Sequence, residues 1–233
     1  MAYLEGTVSF RYRGGTLVTW YRCAPSARAL VVVEPGATHD YLLPLIEGWP
    51  GGAAAHDPVG NGRSLRTPRI LPLIGPVLAA RELACLLEEL ATVETLVAHG
   101  GAALHTRLAQ ALLPARNLTT VLVAPRLWPP DAAHDPFAPR GEPLKPHERA
   151  TLGWIAANPE PLGAWRTRGL AVARRLAPRL LDCSPGPAVA VCEAGDWDAM
   201  HTAAALGATV HEVPAGIDLA RAPRLEAVVA HAR

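Results

Sequence analysis

The sequence predicts an α/β protein, with a mostly parallel central sheet, helices on both faces and a small helical insertion. Three observations carry this. Ala29-Leu30-Val31-Val32-Val33 is an unbroken apolar, largely β-branched run, the pattern of a strand covered on both faces. Strand and helix patterns then alternate along the chain, as they do when helices cross over a parallel sheet. A strand at 95–98 passes into a helix at 102–113 with little more than the pair Gly100-Gly101 between them.

Taken in order, residues 7–12 and 17–23 are β-prone runs flanking Gly14-Gly15, a hairpin signature. The strand at 29–33 ends at Pro35-Gly36, and a short helical pattern covers 41–46. A small-residue strand is expected at 51–55, followed by the turn 56–64. The amphipathic helix at 78–90 places Leu83, Leu86, Leu87 and Leu90 at three- and four-residue spacing. A strand at 119–124 follows Pro114. From 125 to 187 prolines break the first half, and 154–181 reads as one or two Arg-rich helices, so this segment is taken as an insertion over the sheet's C-terminal edge. Residues 1–124 and 188–233 then form the core, closed by a strand at 188–192, a helix at 198–206, a strand at 209–213 and a helix at 222–232.

Composition narrows the function. The 233 residues suit one domain, given about 150 residues per domain as a prior. Lys+Arg 22 against Asp+Glu 21, with no basic cluster, argues against a nucleic-acid partner. The longest charge-free stretch, 199–211, is too short to span a bilayer, so no membrane partner is expected. Residues 1–5 lack a basic region followed by an apolar run, which predicts a cytoplasmic address. Cys23, Cys85, Cys183 and Cys192 form no CxxC pair, and His39, His99 and His105 show no ligand spacing, so neither a disulfide framework nor a metal is expected. Lys145 is the single lysine and sits among prolines, which makes Schiff-base chemistry a poor fit.

Four features fall in a telling order. One strand ends at Pro35-Gly36, and the next in Asp57-Pro58-x-Gly60-x-Gly62-Arg63-Ser64. A third runs into Ala98-His99-Gly100-Gly101-Ala102, and a late one ends in Gly195-Asp196 before Ala215-Gly216-Ile217-Asp218. With these elements the chain resembles the α/β-hydrolase superfamily from about residue 4 to its C-terminus, with 125–187 as cap.

That family carries G-x-S-x-G at the strand-to-helix elbow, where a strained turn raises the Ser beside backbone oxyanion donors. Here Gly100 stands at the Ser position and Ile217 at the His position; Asp196 alone matches the acid. A carboxylate with no His to orient has no part in acyl transfer. The four serines, Ser9, Ser26, Ser64 and Ser184, lie away from the nucleophile's place, and Cys192 lacks a following His. No catalytic nucleophile or base is therefore assigned. Gly100 is expected to leave open space for a ligand, with backbone donors from Gly101 and the Ala37-Thr38 loop facing an anionic oxygen. The expected binding residues are Ala37, Thr38, His39, Gly100, Gly101, Trp128, Trp154, Trp165 and Ile217.

Lacking both Ser and His, the chain is similar to the atypical, triad-less group represented by the bottromycin aspartate epimerase. That resemblance implies a modified ribosomal peptide as substrate, no cofactor, and proton removal at an Asp Cα beside a thiazoline, assisted by the substrate's own carboxylate. Other enzymes of such a pathway are conceivable partners. Two rivals share the same losses: a non-catalytic peptide or small-molecule binding protein, and a hydrolase with a relocated nucleophile.

Overall fold

The computed structural model describes residues 2–34, 37–64, 75–127, 159–180, 183 and 185–215. Among these, eight strands form one sheet in the order β1-β2-β4-β3-β5-β6-β7-β8. The hairpin of β1 (Leu4–Tyr12) and β2 (Gly15–Cys23) is antiparallel, turning through Arg13 and Gly14 at positive φ of 47° and 82°. β2 pairs antiparallel with β4 (Ala53–Asp57), and every later pairing is parallel. These later strands are β3 (Ala29–Val32), β5 (Thr95–His99), β6 (Thr119–Val123), β7 (Ala188–Glu193) and β8 (Thr209–Val213).

Successive side chains of a strand point to opposite faces, and the core divides accordingly. Leu30, Val32, Ala54, Leu96, Ala98, Leu122, Ala190 and Cys192 pack with helices α2 (Pro76–Glu89), α3 (Ala103–Leu112), α4 (Pro159–Leu180) and α5 (Trp197–Ala205). Their neighbours Ala29, Val31, Ala53, Ala55, Val97, Val121 and Val191 pack with Leu45 and Ile46 of α1 (Leu43–Glu47). The expected burial of the 29–33 run on both faces is met: all five residues are inaccessible to solvent.

Several boundaries differ from the sequence reading. β4 begins two residues later than expected, because Gly51 and Gly52 take φ of 77° and 84°, a left-handed turn that a strand cannot continue through. His56 and Asp57 thereby become strand residues rather than turn. The short helical pattern resolves into a 3₁₀ turn, His39–Leu42, running directly into α1. The Arg-rich segment is one helix, α4, and it buries Ala173, Ala177 and Leu180 in the same core cluster as α2 and α3. The terminal helix expected at 222–232 lies outside the described residues.

Candidate functional site

The parallel strands deliver the site at their C-terminal ends, where β3, β4, β5 and β7 all stop. The Asp57 turn is the best-defined part. Asp57 is fully buried, and its Oδ1 accepts the backbone N–H of His39 (2.9 Å) and lies 2.8 Å from the His39 ring Nδ1, while Oδ2 accepts the N–H of Arg63 (2.8 Å). A Cβ at Gly62 would come within 2.1 Å of Oδ2, so the glycine is what lets the turn wrap the carboxylate. Ser64 closes the loop, donating to the Asp57 carbonyl and accepting the N–H of Trp20 (2.9 Å). Burial pushes the Asp57 carboxyl up, but the hydrogen bond and charge of His39 and the two backbone donors outweigh it and hold it below the usual range. The D-x-x-G-x-G-R-S motif is therefore a clip that fixes the 37–42 loop to the end of β4.

His39 belongs to that clip. Its ring is buried, 4.7 Å from the Trp20 ring, whose other contact is the Arg63 guanidinium at 4.5 Å. Ala37 and Thr38 are buried as well, Thr38 with its methyl against Gly62. These three expected binding residues shape the loop.

The elbow is built differently from the expectation. Gly100 adopts φ of 52°, in the left-handed region that favours glycine. The space above it is taken by Glu34, which follows β3 by two residues: a Cβ at position 100 would lie 3.0 Å from the Glu34 carboxyl carbon and from both oxygens. Glu34 Oε2 also faces the N–H of Gly101 at 3.4 Å, and Oε1 lies 3.4 Å from Nδ1 of His99. The absent side chain thus makes room for a protein carboxyl group, and the oxygen before the Gly101 donor is the protein's own. Glu34 is only 6% exposed. The sequence reading passed over it, although a single charged residue ending a doubly buried apolar run was the available signal.

Asp196 is engaged elsewhere. It caps α5 by accepting the N–H of Ala199 (3.1 Å) and pairs with the Arg126 guanidinium (2.8 Å). Partial burial raises its carboxyl, yet the Arg126 and Ala199 hydrogen bonds prevail and keep it below the usual range. The backbone N–H of Arg126 donates to the Gly100 carbonyl (2.9 Å), so this residue, also unforeseen, joins the Gly100 turn to Asp196. Cys192 is buried on β7, and burial, with Asp196 adding to it, pushes its thiol up to about 11, which removes it as a nucleophile at neutral pH.

Beside the elbow lies a buried ionisable group. Burial drives His56 down to about 4 and His105 down to about 3, each also repelled by a neighbouring histidine. Glu82 is pushed up to about 7 by burial, against the pull of Thr19 Oγ1 (2.6 Å) and the Val59 N–H (2.8 Å), both donating to Oε1. The cavity these residues share with Asn61 measures about 10 Å³, room for about one water. Among the described residues no three His, Cys, Asp or Glu gather as metal ligands, and no helix is long and apolar enough to cross a membrane.

Gly100 and Gly101 are therefore brought together, with Glu34 as their unforeseen companion, while His39 and Thr38 gather at Asp57. Trp128, Trp154 and Ile217 lie outside the described residues. Trp165 falls within α4, its side chain outside the described part.

No family model and no curated protein matches the sequence. Solved structures do match in shape. A proline iminopeptidase from Mycobacterium smegmatis superposes with a TM-score of 0.67 at 15% identity, covering 98% of this chain and 97% of its own. A probable hydrolytic enzyme from Pseudomonas aeruginosa gives 0.65 at 17% identity, covering 99% and 94%. The naproxen esterase of Bacillus subtilis gives 0.58 at 14%, covering 99% and 90%. The chain has the α/β-hydrolase fold.

Proposed function

We propose that the chain moves a proton at a carbon acid rather than an acyl group at a carbonyl. The reaction we assign is cofactor-independent epimerisation at the Cα of an aspartate beside a thiazoline, in a ribosomally made, modified peptide of the bottromycin type. The observation supporting this is the Glu34 carboxylate seated over Gly100, at the fold's reaction point. A carboxylate there can accept a proton from carbon, while the Gly101 N–H, already aimed at it, is not left for a tetrahedral oxyanion.

In this reading one carboxylate takes the Cα proton as the C–H electron pair moves into the thiazoline C=N. A proton is then returned to the opposite face, restoring the C–H bond with inverted configuration. Ionised Glu34 takes the proton on one face and the substrate's aspartic acid, in its protonated form, delivers its own on the other; proton exchange with water then returns both groups to their starting states. The low exposure of Glu34 favours a second reading, a non-catalytic peptide or small-molecule binding protein.

One experiment separates the two. The protein is incubated in deuterated water with a peptide carrying an Asp-thiazoline unit, and mass spectrometry follows uptake of one deuteron at Cα while calorimetry measures binding. Uptake that falls at least tenfold in Glu34→Gln supports the epimerase. Binding without uptake assigns a binder, and equal uptake by the variant removes Glu34 from the reaction.

A further inference from the structure

A second site lies away from the elbow, where the β1–β2 hairpin turn meets the first turn of α2 and the middle of α4. A cavity of about 370 Å³ opens there, within the size range of small-ligand sites, and no elbow residue lines it. Its wall on α4 is a single stripe: Arg168, Ala171, Val172 and Arg175 follow at i, i+3, i+4 and i+7, the spacing that puts residues on one helix face. Arg13 reaches it from the hairpin, its guanidinium 5.6 Å from the centre of the Tyr12 ring.

Two features of this lining call for a ligand. No Asp or Glu takes part in it, and the arginine ion pairs found among the described residues engage Arg28, Arg63 and Arg126 instead. Three arginines line one cavity with no carboxylate from the described residues among them, and an anion placed there offers each planar fork an acceptor and offsets their like charge. Beside them, Val77 and Val172 are 43% and 38% exposed, two of the few large apolar side chains left open to solvent among the described residues. Water satisfies an arginine but not a valine, so an anion that also brings a short apolar body gains from both halves of the lining.

We infer that this cavity binds a small amphipathic organic anion, a carboxylate or phosphate monoester carrying a short alkyl chain. The site is independent of the reaction at Glu34. The test is calorimetric titration of the full chain with hexyl phosphate, hexanoate, hexanol and inorganic phosphate, repeated with the Arg168→Gln/Arg175→Gln double variant. Both arginines are exposed, and an unchanged melting temperature verifies that the variant is folded.

At least one of the two alkyl anions is expected to bind tenfold or more tightly than hexanol and than inorganic phosphate, and the stronger of the two names the head group. The double variant should lose at least tenfold of that affinity, and Val172→Ser a smaller, several-fold share. Absence of binding by both alkyl anions overturns the proposal. So does equal binding by hexanol or by inorganic phosphate, or an affinity unchanged in the double variant.

Discussion

The Glu34 carboxylate and the absent side chain of Gly100 occupy one volume: a Cβ on residue 100 would meet the carboxyl group at 3.0 Å. Residue 100 holds a left-handed φ of 52°, and the Glu34 carboxyl fills the space a side chain would take there.

Gly100→Ser should therefore lower stability by about 1 to 3 kcal/mol, from backbone strain together with displacement of Glu34. In the Gly100→Ser/Glu34→Ala double variant the contact is relieved, so the two losses should sum to more than the loss observed. Denaturant unfolding of the four proteins measures this coupling; strict additivity would show that the two residues do not compete. None of the four should hydrolyse p-nitrophenyl acetate above background, because the Gly100→Ser hydroxyl meets the Glu34 carboxyl rather than an imidazole base, and in the double variant that carboxyl is gone.

Asp57 is a purely structural acid in this arrangement. Asp57→Asn keeps the shape but turns an amide N–H₂ toward a backbone donor, and should cost about 1.5 to 3 kcal/mol. Its carboxyl is depressed in the fold, so its stabilisation is complete above its unfolded pKa and is lost as pH falls through the folded value, below about pH 4. Melting curves of wild type and variant should converge in that acid range.

Glu82, His56 and His105 set the shape of the stability curve at milder pH. The folded state keeps a proton on Glu82 up to about 7, where the unfolded chain has already released it, so this residue makes stability fall as pH rises from its ordinary value toward 7. The two histidines act oppositely: the unfolded chain takes up their protons below their ordinary value of 6.5, while the folded chain holds them neutral to about 4 and about 3. Two groups outweigh one at acid pH, and the combined contribution peaks near pH 7. Glu82→Gln should gain on wild type by about 2 to 3 kcal/mol between pH 5 and 8, at about 1.4 kcal/mol per pH unit. Thermal melts across that range check the sign, and a constant gap would refute it.

Asp196→Ala removes the α5 cap and the Arg126 partner together, for an expected loss of about 0.5 to 2 kcal/mol. Deuterium uptake at the substrate Cα, measured with saturating peptide, should stay within a few-fold of wild type. Intact melting with abolished uptake would move Asp196 into the chemistry.

Much of the fold was legible because burial writes itself into short patterns. The 29–33 run, the leucines of α2 and the glycine pair after β5 each announce a local geometry, and the D-x-x-G-x-G-R-S segment announces a turn, though not that its backbone wraps the Asp57 carboxylate. Partnerships across the sheet were not legible in the same way. Glu34 precedes Gly101 by 67 residues, and only the parallel pairing of β3 with β5 sets them side by side. Arg126 reads as one more arginine after β6 until its N–H is found on the Gly100 carbonyl. His39 looked suited to a pocket mouth because its loop was placed correctly, whereas its ring direction depends on Asp57, a strand away.

The shared volume also makes residues 34 and 100 exclusive in size. A side chain added at position 100 needs the Glu34 carboxyl to withdraw, and a smaller residue at position 34 leaves a hollow above a bare glycine. A change at either position therefore favours a compensating change at the other, and the two are expected to vary together rather than singly.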